Sequence, residues 1–123
     1  MGIFNLFSSS GSSEKKQSEL NWIPLESLSQ LDEIESLSAG KKVLIFKHST
    51  RCGISSMVLK MFKSTFKPDE NKVLYYLDLL NHRNISNEIA DRFGVTHQSP
   101  QLLVIENGSC INHGSHHQIL SMI

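Results

Sequence analysis

Apolar residues recur along this chain with two different spacings, and each spacing predicts a different kind of element. The segments Lys42–Lys47 and Val73–Asp78 are almost continuously apolar, which is typical of strands buried on both faces. Apolar residues three or four positions apart predict helices instead. That second spacing covers residues 25–37, residues 53–67 and the segment Ser86–Phe93, after which Gly94 is a natural stop.

The C-terminal third of the chain predicts a hairpin followed by a helix. Asn107-Gly108 is a strong two-residue turn signal, and it lies between the predicted strands Gln101–Glu106 and Ser109–Asn112. Ser115 and Gln118 have the spacing of a capping box for a last helix. A short edge strand at 22–23 precedes the first helix. We therefore predict an α/β fold with a central mixed sheet of about four strands, flanked by helices.

Composition is consistent with one small domain. The chain has 123 residues, of which 39% are hydrophobic and 20% charged, as in ordinary globular domains. Residues 8–18 are polar and rich in serine, so we predict a flexible tail over 1–19 and a folded domain over 20–123. No segment approaches the roughly 18 apolar residues of a membrane span. The first residues lack a basic leader, and we expect a cytoplasmic protein.

Charge is balanced over the whole chain but unevenly distributed. Residues 1–40 carry a net charge of −4 and residues 69–123 a net charge of −3, whereas residues 41–68 carry seven bases and no acid. A locally positive field attracts anionic partners. The alternative interpretation is a solvated basic helix face.

Cys52 has the strongest chemical signal, because it lies between the strand that ends near Lys47 and the helix that follows. A helix N-terminus favours a thiolate over a thiol. Ser55 occupies the position where a second cysteine would complete a C-x-x-C pair. The order β-α-β-α-β-β-α, with a cysteine at this corner, is the thioredoxin arrangement. The sequence therefore predicts a thiol-disulfide site with one thiol rather than two.

Ser99-Pro100 precedes the hairpin and supplies a second signal. A residue before proline is extended, and the X-Pro bond is the common place for a cis peptide. In thioredoxin-like folds a cis-proline at this point packs against the active cysteine, and the residue before it offers a backbone edge to the incoming substrate. Taken alone, Pro100 is more simply interpreted as a turn proline.

Two segments, Phe46–Ser56 and Phe93–Gln101, resemble the YtxJ family of monothiol bacilliredoxins over essentially residues 20–123. The resemblance implies reduction of mixed disulfides between proteins and bacillithiol, with Cys52 as nucleophile and bacillithiol as co-substrate rather than a bound cofactor. The implied substrate-contacting positions are Thr50, Arg51, Gly53, Lys47, Ser99 and Pro100. The family often has proline after the cysteine, where this chain has Gly53.

The resulting hypothesis is that the Cys52 thiolate takes bacillithiol from a modified client protein, and that another thiol or a partner protein then removes the adduct. Lys47 and Arg51 are expected to favour the thiolate and to attract bacillithiol's carboxylates; Lys47 alternatively ends its strand facing solvent. The expected partners are bacillithiolated clients and bacillithiol. We expect a monomer with no metal, no nucleic acid and no membrane.

Several alternatives remain open. Gly53 and Ser55 also resemble the Cys-Gly-Phe-Ser tetrad of monothiol glutaredoxins, which implies iron–sulfur cluster binding. A third possibility is a redox-inert interaction module.

Cys110 is interpreted as a buried structural cysteine, or else as a resolving partner for Cys52. His48 either influences Cys52 or turns to solvent, and Ser49 and Thr50 are expected to cap the helix. Another possibility is a metal site at Cys110, His113, His116 and His117.

Overall fold

A computed structural model describes residues 20–123; the predicted tail lies outside the described residues. Five strands form one sheet: β1 Trp22–Pro24, β2 Lys42–His48, β3 Lys72–Asp78, β4 Gln101–Glu106 and β5 Ser109–Ser115. Three α-helices accompany them: α1 Ser29–Leu37, α2 Gly53–Thr65 and α3 Arg83–Phe93. Two 3₁₀ segments, Leu79–Asn81 and His116–Met122, complete the described elements.

The sheet is mixed, with the order β1-β3-β2-β4-β5. Strands β1, β3 and β2 are parallel to one another, while β4 runs antiparallel to β2 and β5 antiparallel to β4. The short edge strand predicted at residues 22–23 is confirmed; it pairs in register with residues 74–76 of β3 and brings the sheet to five strands rather than about four. The predicted central position of β2 is confirmed, since it lies between β3 and β4.

Each face of the sheet is covered by its own hydrophobic core. Alternate residues of β2 point to opposite faces: Val43 and Ile45 pack in the core that includes buried residues of α1 and α3. Leu44 and Phe46 pack in the other core, together with buried residues of α2 and Ile119 of the last segment. The burial of β2 on both faces explains its continuous apolar run.

The turns follow the sequence closely, whereas three helix predictions need correction. Helix α1 begins at Ser29, although the helical spacing starts at residue 25. Gly94 closes α3 with φ 67°, and Asn107 and Gly108 have φ 53° and 77°, as a hairpin turn requires. Helix α3 begins at Arg83 rather than Ser86, and Ile85 in its first turn is buried in the same core as Ile89. The last segment forms its predicted Ser115–Gln118 capping box but is a 3₁₀ helix.

The 3₁₀ geometry of the last segment has a packing reason. Ile119 is fully buried in the core on the α2 side, and Met122 packs partly against the same core. These residues are three apart, and in a 3₁₀ helix residues three apart lie directly above one another. Both side chains therefore reach one surface.

Candidate active site

Cys52 lies at the corner between β2 and α2, and it is the N-cap residue of that helix. Its backbone is extended, with φ −104° and ψ 120°. The Cys52 N–H donates to the Ser49 carbonyl at 3.1 Å, and the Ser56 N–H donates to the Cys52 carbonyl at 3.0 Å. The thiol is free and half-buried. Backbone hydrogen bonds thus hold the cysteine at a helix N-terminus while part of it stays exposed.

The Ser99–Pro100 peptide bond is cis, as expected. Gln101 pairs with Lys47 near the C-terminal end of β2. The buried Pro100 directly precedes Gln101, so it lies at this same end of β2, which leads to Cys52. Its carbonyl accepts a hydrogen bond from the His116 N–H at 3.0 Å. The sheet register therefore places both sequence signals at the same end of the sheet.

Lys47 is completely buried, which makes the solvent-facing alternative for this residue wrong. The alternation along β2 directs its side chain to the same face as Val43 and Ile45. Among the described residues its Nζ has no hydrogen-bond partner, and the same holds for the Ser99 Oγ and the Gln101 Oε1. Burial lowers the pKa of Lys47 to about 8. Arg51, in contrast, is exposed beside the thiol.

His48 is buried and does not turn to solvent. Its Nδ1 shares a hydrogen bond of 2.8 Å with the Oγ of Ser55, and the Ser49 N–H donates to that same oxygen at 3.2 Å. Burial lowers the pKa of His48, and the nearby Asp78 partly opposes this effect. The hydroxyl in the place of the missing second cysteine therefore ties the end of β2 to the first turn of α2.

The expected capping role of Ser49 and Thr50 is wrong, because no side chain caps α2. Ser49 contributes its backbone N–H instead, and Thr50 is exposed. Gly53 is also exposed, and a Cβ built there would have no atom within 4 Å. The fold does not require glycine at this position, and its missing side chain leaves the approach to Cys52 open.

Cys110 lies far along the sheet from Cys52. Cys110 pairs with Ile105. Ile105 is four residues along β4 from Gln101, which lies at the end of the sheet where Cys52 is found, and four strand residues span about 13 Å. A disulfide requires Cα atoms within about 7 Å, so the resolving role is wrong for this arrangement. Cys110 packs partly against the core on the α1 and α3 side, and burial raises the pKa of its thiol.

The histidines near Cys110 do not form a metal site in the structure. Within residues 20–123, no three His, Cys, Asp or Glu side chains are grouped so that they could hold a metal ion. The same part of the chain contains no helix long and apolar enough to cross a membrane.

Sequence reasoning missed two features of the corner. One is the contact between His48 and Ser55, which the alternation of β2 could have indicated, since His48 shares the α2-covered face with Phe46. The other is the exposure of three apolar residues of α2, namely Ile54, Met57 and Met61. The helical spacing found the apolar positions of α2 apart from the buried Leu59, but could not tell which of them the sheet covers.

A mixed sheet with helices on both faces, a single half-exposed thiol at a helix N-terminus and a cis-proline at the same end define a thiol oxidoreductase of the thioredoxin fold. The family model of the monothiol bacilliredoxin BrxC matches residues 23–122. This chain belongs to that family.

Solved structures agree with this assignment. A structure described as a candidate oxidoreductase with a thioredoxin fold is 31% identical, with a TM-score of 0.68, covering 80% of this chain and 85% of its own. The Malassezia sympodialis thioredoxin is 18% identical, with a TM-score of 0.63 and coverage of 80% and 84%. The Trypanosoma brucei brucei thioredoxin is 14% identical, with a TM-score of 0.61 and coverage of 83% and 84%. The last two support the fold alone.

Proposed function

We propose that this protein removes bacillithiol from protein mixed disulfides by way of a Cys52–bacillithiol intermediate. The observation that carries the proposal is the single half-exposed thiol at the N-terminus of α2, with the Ser55 hydroxyl in the place of a resolving thiol. Such a thiol can accept a group from a disulfide but cannot expel it by itself. Family membership supports bacillithiol as the group transferred.

The reaction consists of two thiol-disulfide exchanges. The Cys52 thiolate attacks the bacillithiol sulfur, the client sulfur leaves as a thiolate, and Cys52 becomes disulfide-bonded to bacillithiol. A second bacillithiol thiolate then attacks the bound bacillithiol sulfur, which releases bacillithiol disulfide and regenerates the Cys52 thiolate. Overall, one mixed disulfide and one bacillithiol thiol become one client thiol and one bacillithiol disulfide, so that electrons balance without a bound cofactor.

The exposed residues beside the thiol are proposed to bind the substrate. Arg51 presents a guanidinium to the carboxylates of bacillithiol, while Thr50 and Gly53 border the path to the sulfur. Ser99 and Pro100 offer the backbone edge across from the thiol. Lys47 is proposed to act only through its positive charge, because its ammonium group is buried and cannot contact the substrate. We propose that the protein acts as a monomer in the cytoplasm, without nucleic acid or membrane partners.

Mass spectrometry can test the proposal directly. The full chain is mixed with a bacillithiolated client, and the masses of both proteins are followed over time. We expect a bacillithiol adduct on Cys52 as the client loses its own, no transfer by Cys52→Ser, and normal transfer by the matched Cys110→Ser control. Transfer at the wild-type rate by Cys52→Ser would contradict the proposal.

The glutaredoxin-like alternative has a separate test. Anaerobic reconstitution with iron and sulfide would produce a coloured dimer dependent on Cys52 if the thiol served as a cluster ligand. A colourless monomer that still exchanges bacillithiol is the result we expect.

A further inference from the structure

Helix α2 carries more hydrophobic surface than the fold buries. Its inner face, including Val58 and Phe62, is covered by the sheet, whereas Ile54, Met57 and Met61 are 47%, 45% and 43% exposed. Residues at i, i+3 and i+7 lie along one side of a helix. These three residues, called the α2 stripe below, therefore form one apolar strip that no other described part of the chain covers.

The α2 stripe begins beside the nucleophile. Ile54 is two residues from Cys52, and Met61 lies about 10 Å further along the helix axis at 1.5 Å per residue. A client protein whose bound bacillithiol is attacked by Cys52 must sit over this corner. The stripe is thus continuous with the place where the two proteins exchange a disulfide.

The surroundings of the stripe are cationic. Arg51 and Lys60 are exposed beside the stripe, and residues 53–65 contain no acid. Charges of this kind attract a complementary surface and orient it as it approaches. They favour clients with acidic side chains around the modified cysteine over clients with basic ones.

The size and composition of the stripe suit brief contacts with different proteins. Three side chains are far fewer than the 20–30 residues that each partner contributes to a stable complex, which matches an enzyme that must release its product. Two of the three are methionines, whose flexible thioether side chains adapt to differently shaped partners.

We propose that the α2 stripe and its cationic surroundings are the docking surface for the protein half of the mixed disulfide. The surface fits clients whose modified cysteine lies among apolar and acidic side chains. This inference rests on the proposed function and adds the chemistry of the partner. It predicts that docking and chemistry can be separated by substitution.

The test compares a protein substrate with a small one. The protein probe is a host with one surface cysteine in the segment Asp-Leu-Cys-Leu-Asp, fully bacillithiolated; the small probe is the mixed disulfide of bacillithiol with free cysteine. The variant is Met57→Gln/Met61→Gln in the full chain. Its matched control is Leu37→Gln/Ile111→Gln, since those residues are 37% and 53% exposed elsewhere on the surface. Thermal unfolding verifies that both variants fold.

We expect the stripe variant to lose about tenfold in kcat/KM on the protein probe, equivalent to about 1.4 kcal/mol, and to keep the wild-type rate on the small probe. The control should match the wild type on both. A Lys-Leu-Cys-Leu-Lys version of the protein probe should react several-fold more slowly with the wild type, by a ratio that shrinks as salt is added.

Four results would overturn the docking proposal. They are an unchanged rate on the protein probe, an equal loss on both probes, a faster rate in the stripe variant, and a wild-type dimer that this variant dissociates. The third would mean that the chain covers its own stripe, and the fourth that the stripe joins two copies. Failure of the wild type on both probes would instead reject the proposed function.

Discussion

Replacing Ser55 with alanine tests whether the hydroxyl at the second-cysteine position holds the corner together. The substitution removes the oxygen that bonds the His48 Nδ1 at 2.8 Å and the Ser49 N–H at 3.2 Å. Ser55 and His48 are both buried, so the imidazole nitrogen would lose its partner without gaining water. Leaving one buried polar group unpaired costs about 1–3 kcal/mol. The Ser49 N–H is only part-buried and adds less, so we expect a loss of about 2–3 kcal/mol.

Urea unfolding at pH 7.5 measures the loss as a lower midpoint at unchanged slope. Ser56→Ala is the matched control, because Ser56 is the next residue of α2 and is exposed; it should change stability by less than about 0.5 kcal/mol. The double variant Ser55→Ala/His48→Phe should recover part of the loss, since removing both partners is less costly than removing one. If Ser55→Ala were no more costly than Ser56→Ala, the buried hydrogen bond would not support the corner.

Three further predictions concern neighbouring residues. Lys47→Met should stabilise the protein by about 3 kcal/mol at pH 7, because a lysine pKa of about 8 in the folded state against 10.5 unfolded costs about 1.36 kcal/mol per pH unit of difference. Because the pKa is lowered in the folded state, the unfolded chain binds more protons between pH 8 and 10.5, and wild-type stability rises over that window. The stability gained by Lys47→Met should therefore shrink as the pH rises. A gain that urea unfolding shows to be independent of pH would contradict this. Gly53→Ala should raise the free energy of unfolding by about 0.5–1 kcal/mol and so raise the urea midpoint, since the helix position has open space. A lower midpoint would show that the backbone there is not helical in solution. Arg51→Gln should raise KM for the cysteine–bacillithiol disulfide by up to about fivefold at low salt, as an exposed charge contributes about 1 kcal/mol or less, and a KM unchanged at every salt concentration would remove Arg51 from the binding site.

Much of the fold could be predicted because its signals are local. The continuous apolar run of β2 reports burial on two faces, and Asn107-Gly108 and Gly94 report backbone conformations that few other residues adopt. Cys52 could be placed at a strand-to-helix corner from the same kinds of pattern. The resemblance of its flanking segments then led to the family that the comparison confirmed over residues 23–122.

Lys47 and His48 show where local pattern is insufficient. Both are polar residues at the end of a strand, and the sequence alone allowed either of them to face solvent. Lys47 is buried on the face that α1 and α3 cover, and His48 is buried on the face that α2 covers, bonded to Ser55. Their environments depend on how far the helices extend over the ends of the strands, which no neighbouring residue encodes.

The order of the elements, the turn positions and the single thiol at the start of α2 could all be inferred from the sequence, because these depend on residues adjacent along the chain. The large separation of Cys110 from Cys52 and the exposure of half of the apolar residues of α2 became evident from the folded structure alone. Those outcomes depend on pairing and packing between segments distant in sequence, and the same side-chain pattern is compatible with more than one such arrangement.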